Sequence, residues 1–213
     1  MKRWILLCAV LPLAVSAGAT TILTFGQTGG GSPITATNSA GTTTISAINV
    51  PITVTQIDAG VVTPLSAFFN LTEHSVSPAT AVSGNIVQSF SGSFSITSLA
   101  GGGGTNFLSG TFTDFVFGAL GGASLTLSAS EPPGTVSFTS GVISASGLNL
   151  ARAISLSFAN VTPAVNITGA SLGSFTSSVS GTFSANVPPV PEPSALVFAS
   201  SALLLFSLRM RKR

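Results

Sequence analysis

Short runs in which an apolar residue alternates with serine or threonine recur through the middle of this chain and constrain its fold most strongly. In Ser89–Ile96 the odd positions are all serine, and the even positions are Phe90, Gly92, Phe94 and Ile96. Successive side chains of a β-strand point to opposite faces, so such a run is apolar on one face and covered with hydroxyl groups on the other. The pattern therefore predicts half-buried strands and does not fit an amphipathic helix, whose apolar residues recur every three or four positions.

The same alternation predicts about ten strands in a domain of residues 20–187. Beyond Ser89–Ile96, the predicted strands are Thr21–Phe25, Thr42–Val54, Thr111–Phe117, Ser124–Ser128, Val136–Thr139, Gly141–Ala145, Ile154–Phe158, Val165–Leu172 and Ser177–Val187. Glu131–Gly134 is predicted to be a turn and Gly101–Asn106 a loop, because Gly, Pro and Asn accumulate there. Many short strands with frequent turns predict an all-β fold, an antiparallel β-sandwich, with a partly closed β-barrel as the alternative.

A four-residue phrase occurs five times in this domain: glycine, then Ser or Thr, then Phe or Val, then Ser or Thr. It begins at Gly92, Gly110, Gly134, Gly173 and Gly181, at spacings of 18, 24, 39 and 8 residues. A solenoid of stacked repeats needs a constant period, so these spacings do not predict one. We interpret the phrase as a short sequence pattern that occurs independently in separate hairpins.

Charged residues are scarce and unevenly distributed. They make up only 6% of the chain, whereas an ordinary soluble domain contains roughly 25%. The sequence pI of about 9.3 comes from the two ends of the chain, since between residues 20 and 190 one arginine, Arg152, stands against four carboxylates. A mildly acidic domain with one arginine cannot neutralise a row of phosphates, which argues against nucleic-acid binding.

The first 19 residues have the order of a cleavable signal peptide. Lys2 and Arg3 form a positive head, an apolar stretch covers residues 5–15, and small residues follow it. Ala17 and Ala19 fit the small-residue positions of a cleavage site, so we expect export by Sec-type machinery and cleavage after Ala19, with residues 15–17 as a second site two residues earlier. The apolar stretch is too short for a membrane anchor, which takes roughly 20 residues.

The last 26 residues combine three segments. Residues 188–193 are rich in proline and predict an extended spacer that cannot pair in a sheet. Residues 194–208 carry no charge and predict a single transmembrane helix of about 22 Å, short for a hydrocarbon core of about 30 Å. A basic cluster ends the chain and is expected to stay in the cytoplasm, which places the domain outside. The cluster consists of Arg209, Arg211, Lys212 and Arg213.

The C-terminal sequence VPEPSALVFASSALLLFSLRMRKR resembles the PEP-CTERM sorting tail of exported bacterial proteins. The three parts of that tail, a Pro-Glu-Pro motif, a short transmembrane helix and a basic terminus, occur in order within these 24 residues. By position, Pro191, Glu192 and Pro193 match the motif. The resemblance implies that a membrane protease-transpeptidase, exosortase, cuts at or near these residues. The protein would then be released, or re-attached at the cell surface.

The domain between the two ends lacks a convincing catalytic or metal-binding pattern. Gly169–Gly173 has the spelling of a Gly-x-Ser-x-Gly nucleophile elbow around Ser171, but no helix pattern follows it, and the only histidine, His74, precedes it. The only cysteine, Cys8, lies in the leader. The four carboxylates are interpreted as surface charges: Asp58, Glu73, Asp114 and Glu131. We therefore expect no catalytic residue, cofactor or metal site.

These observations favour a non-catalytic protein of the cell envelope or extracellular matrix. Its expected partners are the Sec-type machinery, exosortase and the membrane, and the resemblance adds exopolysaccharide or biofilm. The expected route runs through the inner membrane to the cell surface or the medium. A carbohydrate-binding or adhesion module is one alternative, although its usual Trp or Tyr platform is missing, because Trp4 in the leader is the only tryptophan. A hydrolase with a dispersed site is the other.

Overall fold

Strands make up most of the computed structural model, which describes residues 19–59, 61 and 63–186. The strands are β1 (Thr20–Gln27), β2 (Ile34–Ser39), β3 (Thr42–Ile57), β4 (Leu65–Ser75), β5 (Thr80–Val82), β6 (Asn85–Thr97), β7 (Asn106–Ala119), β8 (Ser124–Glu131), β9 (Val136–Thr139), β10 (Asn149–Thr162), β11 (Ile167–Thr168), β12 (Ser171–Leu172) and β13 (Phe175–Asn186). Two short 3-10 turns, Ala100–Gly102 and Ala145–Leu148, are the only helical elements within these ranges. The all-β prediction is confirmed.

Antiparallel pairing joins eleven strands into one sheet, and this sheet closes on itself. The path runs β6-β4-β3-β1-β13-β10-β8-β7, and β7 returns to pair with β6 from Asn106↔Thr97 to Ala119↔Asn85. Like β1, β2 lies between β3 and β13 and pairs with both. Like β8, β9 pairs with β7. Closure pairs the long strands on both sides, so the unpaired backbone edges that promote aggregation are reduced.

Two predicted strands are wrong in the structure. The segment Gly141–Ala145 consists of bends that lead into a 3-10 turn, because the hydroxyl oxygen of Ser140 accepts the N–H groups of Val142 and Ile143 at 3.1 and 2.9 Å. Such local bonds compete with a strand ladder. The segment Val165–Leu172 forms the small β11–β12 hairpin instead of one strand. The strands β2, β4 and β5 were not predicted from the alternation.

Phenylalanine rings meet across the interior of the closed sheet. Phe94 on β6 stacks on Phe183 of β13 with ring centroids 4.7 Å apart, although three strands separate β6 from β13 in either direction around the sheet. Phe25 packs on Phe69 at 4.9 Å, and Phe138 meets Phe94 edge-on at 6.1 Å. Each such pair contributes about 0.5–1.5 kcal/mol beyond the burial of its area. The middle of the domain is therefore a packed aromatic core.

Each of the five phrase glycines lies where a Cβ would come within about 3.0 Å of a neighbouring atom. A Cβ at Gly110 would lie 1.9 Å from the carbonyl oxygen of Ser137, and one at Gly181 would lie 2.4 Å from the ring of Phe25. A Cβ at Gly92, Gly134 or Gly173 would lie 2.5, 3.0 or 1.8 Å, respectively, from the nearest atom of a neighbouring residue. Two residues after each glycine the apolar residue is buried: Phe94, Phe112, Val136, Phe175 and Phe183. The four-residue phrase therefore marks places where the core is closely packed. Its irregular spacing along the sequence gave no indication of this role.

Candidate functional site

Paired hydroxyl groups cover much of the outer face of the closed sheet. Between β7 and residues 135–139, which include β9, three rungs follow one another, with oxygen–oxygen distances of 2.8 Å for Ser109–Thr139, 2.8 Å for Thr111–Ser137 and 3.1 Å for Thr113–Thr135. The register extends the middle rung across four more strands, through Ser93, Thr72, Ser46 and Thr35. This is the uncharged hydroxyl face that the alternation predicts.

Two phenylalanines interrupt the hydroxyl face. Phe115 and Phe117 on β7 are 56% and 50% exposed, whereas the intervening Val116 is buried. On the neighbouring strands Phe115 lies between Ser89 and Ser128, and Phe117 lies between Val87 and Thr126. A parity argument could have found them, because Thr111 and Thr113 precede them on the same outward positions of the strand. The sequence alone did not single them out, because phenylalanine is normally a core residue.

A shallow groove runs beside Phe115. It has a volume of about 250 Å³ and is lined by Val76, Ser89, Phe90, Thr113, Phe115, Pro133 and Gly134. Three of these residues, Val76, Phe115 and Pro133, give apolar walls, and Ser89 and Thr113 add hydroxyl groups. None of the seven lining residues carries a formal charge. We call this the Phe115 groove, and its chemistry suits an uncharged ligand with both apolar and hydroxyl surfaces.

A second groove, of about 320 Å³, lies under the Gly29–Gly31 loop. Gln27, the largest polar side chain in its lining, is already engaged on both ends of its amide. Its Nε2 donates to the carbonyl oxygen of Gly31 at 3.1 Å, and its Oε1 accepts from the backbone N–H of Val179 at 3.1 Å. This amide holds the loop in place, so the side chains that remain for a ligand are those of Ser157, Asn160, Ser178 and Ser180, and the second groove contains no aromatic side chain.

A buried polar network surrounds Ser171 where the β11–β12 hairpin meets the closed sheet. Ser171 is fully buried, and its hydroxyl accepts a hydrogen bond of 2.6 Å from Nε2 of Gln88. It also lies 2.8 Å from the hydroxyl of Thr43 and 3.2 Å from that of Ser75. Gln88 Oε1 in turn accepts the backbone N–H of Leu172 at 2.9 Å. Every partner named here belongs to the fold, so the network joins the hairpin to β3, β4 and β6.

The Gly-x-Ser-x-Gly spelling has a structural explanation at each of its three named positions. Gly169 has φ +64° in the turn between β11 and β12, a conformation that favours glycine. Ser171 bonds to the network, and Gly173 leaves space for the amide oxygen of Asn166. His74 lies on the exposed face of β4, while Ser171 is buried inside the network. The structure therefore does not bring this histidine and this serine together.

The prediction that all four carboxylates are surface charges is wrong for Glu73. This residue is fully buried on the inner face of β4, next to Gly92 of β6. Its neighbour His74 is exposed, because adjacent strand residues point to opposite faces. The alternation of β4 could have placed Glu73 inside, since Phe69 and Leu71 share its parity.

The other charged positions are dispersed over the domain. Glu131 forms an ion pair of 3.1 Å with Arg152, in which the two side chains are 30% and 23% exposed. Asp58 lies in a bend after β3. Asp114 belongs to β7, but its side chain is outside the described part. Among the residues that the structure describes, no three His, Cys, Asp or Glu side chains group as a metal site would require.

The predicted sorting residues lie outside the described residues: Ala17, Pro191, Glu192, Pro193, Arg209, Arg211, Lys212 and Arg213. Of the two cleavage-site alanines only Ala19 is described, as an exposed residue directly before β1. The predicted transmembrane helix, residues 194–208, also falls outside. Within residues 19–59, 61 and 63–186, no helix has the length and apolarity needed to cross a membrane. Comparisons with protein-family models, curated proteins and solved structures give no match.

Proposed function

We propose that this chain is a non-catalytic protein of the bacterial cell envelope or extracellular matrix. The observation that carries the proposal is the outer face of the closed sheet, where uncharged hydroxyl pairs such as Thr111–Ser137, at 2.8 Å, replace the usual charged surface. Such a face is hydrated without net charge, and it can lie against neutral matrix material. The dispersed carboxylates and the position of His74 also favour a role without catalysis.

The proposal includes the route by which the domain reaches the cell surface. The leader would direct Sec-type export, with cleavage after Ala19. The tail would hold the domain at the inner membrane until exosortase acts at Pro191, Glu192 and Pro193. Two prolines keep this backbone extended and poor in hydrogen bonds, a form that a protease can engage. An association with exopolysaccharide would follow from the same route.

The proposal also covers the finer architecture of the domain. We infer that the closed sheet is flattened into two facing layers, so that it corresponds to a β-sandwich with joined edges. The support is the 4.7 Å stacking of Phe94 on Phe183, because these rings come from strands at opposite positions of the closed path. Two layers about 10 Å apart bring inward side chains into such contact.

Changing the Pro-Glu-Pro motif is expected to block processing in a bacterium that carries an exosortase. When Pro191, Glu192 and Pro193 are all replaced with alanine, full-length protein should accumulate in the membrane fraction and the processed form should fall at least tenfold. The reason is that a processing enzyme reads these residues in an extended backbone. Mass spectrometry of the mature C-terminus, together with quantitative immunoblots of cell fractions, measures the effect.

The matched control changes Pro188 and Pro189 to alanine, which alters the same spacer outside the motif. This variant should be processed like the natural chain. Mature protein that still ends with the basic cluster, or equal processing of the motif variant, would contradict the sorting proposal. The N-terminus of the same mature protein tests the leader, since it should begin at Thr20.

A further inference from the structure

We propose that the Phe115 groove, together with Phe117, binds a chain of a neutral polysaccharide. Phe115 and Phe117 would each support one sugar ring, and the groove would hold the sugar that lies over Phe115. The inference concerns the folded domain alone, so it does not depend on how the tail is processed. A purely structural role of the outer face would not require an exposed pair of aromatic side chains. The inference therefore assigns a ligand class to the part of the face where this pair lies.

The two exposed rings form the platform. They lie two residues apart on one strand and point to the same face, so they are separated by about 7 Å along β7. A sugar ring has one face made of C–H bonds, and the electron-rich face of an aromatic ring attracts such slightly positive hydrogens. Phe115 and Phe117 are 56% and 50% exposed, which leaves ring surface free for this contact.

Hydroxyl side chains flank Phe115 on both sides and Phe117 on one side, where a sugar needs hydrogen-bond partners. Ser89 and Ser128 lie opposite Phe115 on the two neighbouring strands, and Thr126 lies opposite Phe117. Each hydroxyl can both donate and accept a hydrogen bond, which matches the hydroxyl groups at the rim of a sugar ring. The site thus combines an apolar floor with polar sides, as small-molecule sites commonly do.

The absence of charge in the groove lining selects a neutral polysaccharide over an acidic one. None of its seven residues can form an ion pair with a carboxylate or sulfate group. Arg152 is the only Lys or Arg among residues 19–186, and its guanidinium already bonds to Glu131 at 3.1 Å and to the carbonyl oxygen of Leu148 at 2.7 Å. An acidic chain would therefore lack a cationic partner here.

The size of the platform favours sugars over a protein partner. A phenylalanine ring system of roughly 200 Å² that is about half exposed offers about 100 Å², so the pair offers about 200 Å². A stable protein–protein interface takes about 800 Å² from each partner. The two rings, taken together with Val76 and Pro133 of the groove walls, give an apolar area below that value, and it suffices for two sugars.

The test measures binding of the full-length protein, held in mild detergent, to soluble polysaccharides. The probes are a β-1,3-glucan, hydroxyethyl cellulose and a galactomannan, with alginate as the acidic comparison, in affinity electrophoresis and calorimetry. We expect binding to at least one neutral probe. Phe115→Ala should weaken it at least tenfold, equivalent to about 1.4 kcal/mol, and Phe115→Trp should retain or strengthen it. The control Ile48→Ala removes an apolar side chain that is even more exposed, 76% on β3, and should change nothing.

Several outcomes would overturn the inference. These are no binding to any neutral probe, unchanged affinity in the Phe115→Ala/Phe117→Ala double variant, or a preference for alginate. Sedimentation of the same variants tests whether the groove is instead occupied by a second copy of the chain or by the tail. If the double variant changes self-association, or the compactness of the full chain, without changing glycan binding, the patch serves a second copy or the tail. Thermal unfolding of each variant separates loss of binding from loss of fold, and none of these results bears on the processing of the tail.

Discussion

Replacing Gly110 with alanine is expected to lower the melting temperature of the protein by about 6–12 °C. A Cβ at this position would lie 1.9 Å from the carbonyl oxygen of Ser137 and 3.1 Å from the ring of Phe94. The backbone of β9 would have to move away from β7, which also disturbs the Thr111–Ser137 hydroxyl pair. Overpacking of a core costs about 1–3 kcal/mol and here we expect the upper end. For a domain of this size each kcal/mol changes the melting temperature by about 2–4 °C.

Gly26→Ala is the matched control for this experiment. Gly26 also lies within a strand, and a Cβ there would meet nothing within 4 Å. Alanine should be neutral or stabilise the protein by up to about 1 kcal/mol, because it restricts the unfolded chain. Calorimetry of the two variants measures the difference directly. A melting temperature for Gly110→Ala within about 1 °C of the natural protein would show that β9 adapts without cost, and would contradict the close packing of β7 and β9.

The strand pattern was predictable because one rule governs both faces of the sheet. In Ser89–Ile96 every serine is outward and the apolar residues are inward, and the observed strand extends this run at both ends to Asn85–Thr97. The rule fails where local side-chain bonds replace the ladder, as at Ser140, and where a strand has few hydroxyl residues, as in β4. The pairing of β6 with β7 that closes the sheet is a long-range property, which alternation along one strand does not encode.

The candidate site was less predictable than the strands. Burial was inferred from the type of each residue, whereas in a strand it is decided by the position of the residue. Phenylalanine is normally a core residue, and Phe112 follows that expectation, whereas Phe115 has the opposite parity in the same strand. Glutamate is normally exposed, whereas Glu73 takes the inward parity of β4. Both placements follow from counting positions along the strand. The contacts of Ser171 do not, because its partners come from strands far away in the sequence.

Removing the amide of Gln88 is the second change for which we expect a large effect. Gln88 is 1% exposed, and it bonds Ser171 at 2.6 Å, the backbone N–H of Leu172 at 2.9 Å and the carbonyl oxygen of Ser77 at 2.8 Å. In Gln88→Ala all three groups lose a partner; Ser171 and Leu172 are fully buried, and each buried group left unsatisfied costs about 1–3 kcal/mol. We expect the free energy of unfolding to fall by about 3 kcal/mol in denaturant titration.

The effect of Gln88→Ala should be local as well as global, since the network attaches the β11–β12 hairpin to the sheet. Hydrogen exchange at the Leu172 amide should accelerate more than exchange in β10, because Gln88 Oε1 accepts that N–H directly. Gln56→Ala is the matched control: Gln56 is exposed on β3, and its loss should change stability by less than about 0.5 kcal/mol. The double variant Gln88→Ala/Ser171→Ala should be less destabilised than the two single changes predict, because both remove the same bond. Strictly additive effects, or unchanged exchange at Leu172, would mean that the hairpin is held by its apolar contacts and that the polar network contributes little.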